Sequence, residues 1–311
     1  MDLNKDIRIQ VCPFMALSKN LIEGFYIIGY TEKVLEKLSP NFSEKKLELS
    51  LISTIIADSS FNINIRDIID KVYPDKPNII KNQNSDIINI INTSVIKENK
   101  SSIIFTTCIK TNNDKNEPEP ERLFYSGYAF RFYELLKDHE NVYCLPKAFV
   151  IISQYPFFTQ YYNLCSFLYE NLIEKKIFKE GIKPLVKNDK KASIIDSIPI
   201  EIFIYCLLNY IPSPFYRDIE IKLLDKKKEM RFPALSGYPY IDFDLCKIIK
   251  EIKFNIFLKI YILIFLEVNL IIFSENIEKL NLLLYVLFIL NYPLQDSIYL
   301  ANIYSISKEK M

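Results

Sequence analysis

The sequence predicts an α/β fold, in which helices cover a β-sheet. Three observations lead to this prediction. Residues 148–152, Ala-Phe-Val-Ile-Ile, form an uninterrupted apolar run, which is typical of a strand buried on both faces. From Phe157 to Leu172, apolar residues recur every three or four positions, which indicates an amphipathic helix. Strand-like and helical segments alternate along the rest of the 311 residues, half of which are hydrophobic.

Charge and composition argue against several classes of protein. The chain has 39 Lys and Arg against 38 Asp and Glu, so no overall field draws in nucleic acid. Its single histidine, His139, makes a zinc site or a Ser-His-Asp triad improbable. Its five glycines form no nucleotide-binding motif, and its six cysteines lack metal-ligand spacing. We therefore expect no cofactor, no metal and no covalent chemistry.

The N-terminal region begins with a strand and continues with a helix. Residues 25–30, Phe-Tyr-Ile-Ile-Gly-Tyr, are aromatic and β-branched and predict a buried strand. In residues 43–58, four apolar residues recur at helical spacing and predict a helix: Leu47, Leu51, Ile55 and Ile56. Residues 62–100 are rich in Asn, Ile, Lys and Asp, and we interpret them as an insertion with weak order.

A β-hairpin with a long polar loop follows. Residues 103–109 and 123–132 have the composition of strands, and the intervening residues 110–122 are acidic and proline-containing. Gly127 lies within the second strand, where a glycine indicates a bulge or a close backbone approach.

The break Ser153-Gln-Tyr-Pro156 between strand and helix allows two interpretations. A strand, a sharp turn and a helix can present a nucleophilic serine, but such an elbow needs small residues around the serine. Gln154 and Tyr155 do not meet that need. We therefore favour a structural interpretation, in which Ser153 caps the helix and Pro156 occupies its first turn. The functional alternative is that Tyr155 and neighbouring exposed groups contact a partner.

The C-terminal half predicts a second set of strands and helices. Residues 219–223 alternate in polarity as a half-exposed strand, with residues 228–232 as its hairpin partner. One helix is predicted from Asp242 or Asp244 and another from Phe254 to Leu266. A buried strand at 270–273 and a final helix at 276–290, capped by Ser274, complete the prediction. Because residues 254–290 are very apolar, an integral membrane protein is an alternative, although Lys259 and Glu267 interrupt the run.

Taken in order, several of these segments resemble DENN-domain proteins, a family of exchange factors for Rab GTPases. The resemblance covers residues 11–300 in pieces. The matching segments are Phe25–Gly29, Phe105–Thr107, Leu123–Phe132, Leu145–Phe158, Tyr240–Asp244, Asn255–Glu267, Leu270–Ser274 and Asn291–Pro293. Of these, Leu145–Phe158 is the closest match, to the family's strand-Ser-x-Tyr-Pro-Phe-Phe entry into its central module.

The resemblance implies two α/β modules. Residues 1–135 would form an upstream, longin-like module with insertions at 62–100 and 110–122. Residues 136–311 would form the central DENN module, truncated at its end, with its sheet covered by helices. The helical downstream module of the family would be expected beyond Met311.

The resemblance also implies a function without covalent chemistry. Such a factor binds the nucleotide-free Rab GTPase and promotes GDP release in vesicle trafficking. The GTPase would enter a groove near residues 25–32, 124–132 and 147–158. The implied partner-binding residues are Tyr30, Tyr128, Arg131, Gln154, Tyr155 and Glu267. The expected location is cytoplasmic, peripheral on vesicle or endosomal membranes through the GTPase.

Three other functions remain open. A DENN-like scaffold or adaptor would bind a GTPase without accelerating exchange, and two departures favour it: Val268 and Asn269 follow Glu267, where the family has basic residues. Glu267 itself has a structural interpretation, as a carboxylate that ends an apolar helix and reaches solvent or a cation. The other two functions are an α/β enzyme of unknown reaction and the integral membrane protein.

Overall fold

In the computed structural model, helices pack on both faces of a central sheet, and a hairpin and further helices follow. The residues described are 20–30, 48–56, 63–74, 77–83, 100–110, 122–138, 141–171, 183–184, 204–205, 207–209, 211–214, 218–222, 229–234, 242, 244–266, 268, 270, 272–274, 279–280, 282–283 and 286–287.

Seven strands form the main sheet. They are β1 (Gly24–Gly29), β2 (Ser50–Ile56), β3 (Ile80–Gln83), β4 (Ser101–Lys110), β5 (Arg122–Asp138), β6 (Asn141–Ser153) and β7 (Lys183–Pro184). The order is β2-β1-β6-β5-β4. β3 pairs with the start of β6 and β1 with its end, so both lie along the same side of that strand. All pairs are antiparallel except β5 with β7.

β6 lies at the centre of this sheet and is buried on both faces, as its apolar run predicts. Phe149 and Ile151 belong to a core cluster that includes the helix α2 (Phe158–Tyr169). Ala148, Val150 and Ile152 belong to the opposite cluster, which includes the helix α1 (Ile65–Val72). The predicted mixed α/β class is therefore confirmed, with a sheet that is mainly antiparallel.

The helix predicted for residues 43–58 is wrong, because residues 50–56 form β2. The four-residue spacing of Leu51 and Ile55 would place them on one face of a helix. In the structure they pair with Ile28 and Phe25, and a register irregularity between Ile27 and Ile28 places them on opposite faces of the sheet. Pairing with β1 decides the conformation of this segment.

The prediction of weak order for residues 62–100 is wrong for the part that the structure describes. α1 begins after Asn64, whose side chain accepts a hydrogen bond from the Arg66 amide at 3.1 Å. Ile68 and Val72 lie one turn apart and pack under the sheet. β3 occupies Ile80–Gln83, and residues 84–99 lie outside the described part.

The predicted hairpin is confirmed as β4 and β5, and Gly127 marks a close approach. Gly127 lies opposite Phe105 in the register. A Cβ atom on Gly127 would lie 2.2 Å from the Phe105 ring, so the ring occupies the space that any side chain would need. Residues 111–121 of the polar loop lie outside the described part.

The C-terminal elements largely follow the sequence pattern. A two-stranded hairpin joins β8 (Ile219–Lys222) to β9 (Glu229–Phe232), and two helices follow, α3 (Leu245–Ile252) and α4 (Phe254–Phe265). The described residues between 279 and 287 are helical, as expected, but the predicted strand at 270–273 is wrong, because residues 270, 272 and 273 form no strand. Among the described residues, no helix is long and apolar enough to cross a bilayer.

The predicted division at residues 135 and 136 falls within β5, just before its hairpin with β6. These two strands pair continuously from Ser126 with Ser153 to Asp138 with Asn141. The division into longin-like and central modules stays a prediction.

Candidate functional site: the joint between β6 and α2

The stretch Ser153-Gln-Tyr-Pro156 connects β6 to α2 through a buried hydrogen-bond network. The Ser153 hydroxyl donates to the Leu21 carbonyl oxygen at 2.7 Å, and its oxygen accepts from the Tyr155 amide at 2.9 Å. The Tyr161 hydroxyl lies 2.8 Å from Ser153 Oγ and 3.0 Å from the Tyr155 carbonyl oxygen. This network ties together the segment before β1, the end of β6 and the start of α2.

Ser153 does not cap α2, contrary to the sequence-based prediction. The N-cap residue is Phe157, whose side chain makes no capping bond. Ser153 lies four residues earlier and closes a local turn with the Tyr155 amide instead. Pro156 precedes the N-cap residue, so the prediction that it occupies the first helical turn is also wrong.

Asp242 caps α2 from a distant part of the chain. Its Oδ2 accepts hydrogen bonds from the Thr159 amide at 2.7 Å and from the Gln160 amide at 3.4 Å. The Thr159 hydroxyl donates to the backbone carbonyl oxygen of Asp242. Burial raises the pKa of Asp242 to about 6, although hydrogen bonds from backbone amides oppose that rise. One residue thus fastens the segment before α3 to the amino end of α2.

The buried Ser153 and the buried thiols of β6 and α2 are poorly suited to nucleophilic attack. Ser153 is completely buried, and its hydroxyl is engaged with Leu21. Burial raises the pKa of the Cys144 thiol to about 11 and raises that of Cys165 further. Because the thiolate is the reactive form, both thiols are inert at neutral pH. Within the described ranges, no group of three or more His, Cys, Asp or Glu side chains could hold a metal ion.

A buried ion pair lies on the α2 side of the sheet. Lys147 Nζ on β6 is 2.5 Å from Glu134 Oε2 on β5, and the two side chains are 1% and 7% exposed. The register pairs Lys147 with Phe132 and Glu134 with Leu145, so the charged residues are diagonal neighbours on one face. A Cβ on Gly29 would lie 2.9 Å from Lys147 Cγ, so this glycine leaves room for the lysine side chain.

Comparison with protein families identifies the region that contains this joint. The model of the DENN (AEX-3) domain matches residues 144–303, just over half of the 311 residues. The chain belongs to the DENN family. The matched region begins within β6 and includes the joint, α2, Asp242 and α4. No curated protein and no solved structure matches the chain.

Three of the partner-binding residues predicted from the DENN resemblance are buried at the joint or beside it. Tyr155 and Tyr128 belong to one core cluster, and the Tyr128 ring lies 6.4 Å from that of Tyr161. Gln154, between β6 and α2, is also buried. The expectation that Tyr155 and its neighbours are exposed is wrong, because Tyr155 packs in the core between the sheet and α2 and Gln154 is buried as well.

Two other predicted partner-binding residues lie on the α1 side of the main sheet. The Tyr30 hydroxyl donates to the Pro77 carbonyl oxygen at 3.3 Å. Arg131 is half-buried and donates to Ser101 Oγ at 2.9 Å and to the Val72 carbonyl oxygen at 3.5 Å. The six predicted residues therefore do not form a single patch, and Glu267 lies outside the described residues. Their role in partner binding stays a prediction.

Sequence reasoning missed Asp242 as a cap and Lys147–Glu134 as an ion pair. One signal for the remote cap was present, because the first turn of α2 has no acidic residue and Phe157 cannot cap it. The ion pair had a weaker signal, since a charged residue beside the apolar run 148–152 must be paired if it is buried. Neither signal names the partner residue.

Replacing Tyr161 by phenylalanine is expected to destabilise the protein by about 1–2 kcal/mol. The substitution keeps the ring but removes the hydroxyl that bonds to Ser153 and to the Tyr155 carbonyl oxygen. The free energy of unfolding from urea titration measures this loss. Tyr162→Phe is the matched control, because the adjacent tyrosine is 48% exposed. Equal stability of the two variants would contradict a structural role for the buried hydroxyl.

Proposed function

We propose that this DENN-family chain is a guanine-nucleotide exchange factor for a Rab-type small GTPase. The observation that carries the proposal is the family match over residues 144–303, because DENN domains are associated with Rab exchange activity. The proposal includes the finer assignment of residues 1–135 to a longin-like upstream module and of residues 136–311 to the central DENN module. It also includes peripheral attachment to vesicle or endosomal membranes through the GTPase.

The proposed mechanism is a difference in binding and requires no bond to be made or broken. The factor binds the nucleotide-free GTPase more tightly than the GDP-bound form. By thermodynamic linkage, the exchange factor lowers the GTPase's affinity for nucleotide, and nucleotide lowers its affinity for the exchange factor to the same extent. GDP therefore leaves, and GTP replaces it. The buried Ser153 and the inert thiols of Cys144 and Cys165 are consistent with a protein that binds its partner without covalent chemistry.

Exposed groups around the joint, and not its buried residues, are the better candidates for direct contact. Tyr162 lies on α2, directly after the family's strand-to-helix motif, and is 48% exposed. Its ring stands edge-on to Phe130 with centroids 5.9 Å apart, which holds it in place on the helix. Ordered, half-exposed tyrosines are frequent anchors of protein interfaces. We infer that Tyr162 contacts the GTPase.

Release of a fluorescent GDP analogue from a panel of Rab GTPases tests the proposal. The purified chain is expected to accelerate release from one or two members of the panel. Tyr162→Ala should then weaken GTPase binding by about tenfold, the effect of losing about 1.4 kcal/mol at an interface. Lys222→Ala on the exposed face of β8 is the control and should leave binding unchanged. Unfolding midpoints would show that both variants are folded.

The second candidate is a scaffold that binds a GTPase or adaptor without accelerating exchange. It is favoured by Val268 and Asn269, which stand where the DENN resemblance leads us to expect basic residues. Capture of a nucleotide-free GTPase without acceleration of GDP release would support the scaffold. Neither capture nor acceleration across the panel would contradict both candidates.

A further inference from the structure

Two buried acceptor atoms near the amino end of α2 have no hydrogen-bond donor among the described residues. One is Oδ1 of Asp242 and the other is Oε1 of Gln160. The two residues are held together, because the Gln160 amide donates to the other carboxyl oxygen of Asp242. Leaving such oxygens buried without a donor costs free energy, and a buried carboxylate oxygen costs more than an amide oxygen.

A proton on Asp242 removes this cost with the groups already present. Oδ2 accepts the amide hydrogens of Thr159 and Gln160, which is the role of the carbonyl oxygen of a carboxylic acid. Oδ1 would then carry the proton and become a donor, and Gln160, whose backbone amide binds Oδ2, has an unsatisfied acceptor in its side-chain oxygen. We propose that Asp242 is a proton-linked latch, which holds the segment before α3 against the amino end of α2 when its carboxyl group is protonated.

The electrostatic surroundings agree with this assignment. Burial is the largest influence on the pKa of Asp242, which it raises to about 6, and the groups that oppose this rise are backbone amides. An ionisable neighbour of Asp242 is Tyr161 on α2, which also interacts electrostatically with Glu23 before β1. Asp242 and Glu23 both raise the pKa of Tyr161. On its own segment, Asp244 is exposed. The backbone amides favour the charged form of Asp242, and burial outweighs them.

The direction of the pH effect follows from the raised pKa. Between the ordinary aspartate pKa near 4 and the native value near 6, the folded chain binds more protons than the unfolded chain. The stabilisation by the latch is therefore complete below about pH 4 and is lost as the pH rises through about 6. Above that value Oδ1 is a buried carboxylate oxygen without a donor among the described residues, and the latch is loosened. This inference does not depend on the proposed function.

Hydrogen exchange of the Thr159 and Gln160 amides tests the latch in the full chain. After correction for the intrinsic rate, their protection should fall by about tenfold or more as the pH rises from 5.0 to 7.5. Asp242→Asn keeps a side-chain oxygen to cap the helix but cannot ionise, so its protection should be independent of pH. Asp244→Asn is the matched control, because that residue is exposed on the same segment, and it should keep the wild-type pH dependence.

Two results would overturn the proposal. One is protection of both amides in the wild-type chain that does not change between pH 5.0 and 7.5. The other is a pH dependence that persists in Asp242→Asn. If that variant does not fold, direct titration of the Asp242 carboxyl carbon by NMR in the wild-type chain decides the question. A pKa near 4 would show that the Gln160 amide is turned to donate to an ionised Asp242, and the latch would then be refuted.

Discussion

Replacing Glu134 by alanine is expected to destabilise the protein by about 3–5 kcal/mol, one of the two largest effects that we predict. The substitution leaves Lys147 buried at 1% exposure without the carboxylate that lies 2.5 Å from its ammonium group. Breaking a buried ion pair on one side is much more costly than removing both charges, because it strands an uncompensated charge. The free energy of unfolding in urea at neutral pH measures the effect.

The double substitution Glu134→Leu with Lys147→Met is the control for this prediction. It replaces both charges by apolar side chains of similar length, and such replacements are often neutral or stabilising. We expect its stability to lie within about 1 kcal/mol of the wild type. A double variant that is as unstable as Glu134→Ala would show that the loss comes from packing in the sheet and not from the stranded charge.

Replacing Gly127 by alanine is expected to destabilise the protein by about 2–3 kcal/mol. In most strands, replacing glycine by alanine stabilises the protein by about 0.5–1 kcal/mol. The loss of stability that we expect here is therefore opposite in sign to the usual effect. Here the new Cβ would lie 2.2 Å from the ring of Phe105. This β4 residue is fully buried in the core cluster on the α1 side of the sheet. The ring must shift within a packed core, and overpacking of this kind is destabilising.

A double-mutant cycle isolates the contact between Gly127 and Phe105. In a Phe105→Leu background, the smaller side chain leaves room for the new methyl group, so Gly127→Ala should have little effect on stability. The difference between the two backgrounds gives the interaction energy, which we expect to exceed 1 kcal/mol. An equal loss in both backgrounds would indicate backbone strain at residue 127 instead of a clash with the ring.

The burial of the joint changes how partner binding should be tested in this DENN-family chain. Tyr128, Gln154 and Tyr155 are buried, so their substitution would unfold or rearrange the core and lower any activity indirectly. Loss of exchange in such variants would say nothing about contact with a GTPase. Exposed positions such as Tyr162 separate binding from folding, because their substitution removes a contact while the core stays intact.

Much of the fold could be predicted from local patterns. The β4–β5 and β8–β9 hairpins, the central strand β6 and the helices α2, α3 and α4 all lie where periodicity placed them.

The predictions that failed did so for physical reasons. The spacing of Leu51 and Ile55 also fits a helix, and only pairing with β1 makes this segment a strand. α1 lies within an Asn-rich and Lys-rich stretch, and it docks on the sheet through Ile68 and Val72, with Ile65 and Ile69 partly buried.

The sequence by itself determined the α/β class, the strand-to-helix joint and the resemblance that the family match confirms. These features depend on residues that are close together in the chain. Only the tertiary structure decided that Asp242 caps α2 across 83 positions and that Lys147 pairs with Glu134. Only the tertiary structure also decided that the predicted partner-binding residues of the joint are buried. Remote caps, ion pairs and burial depend on which distant segments pack together, and a local sequence pattern does not specify those contacts.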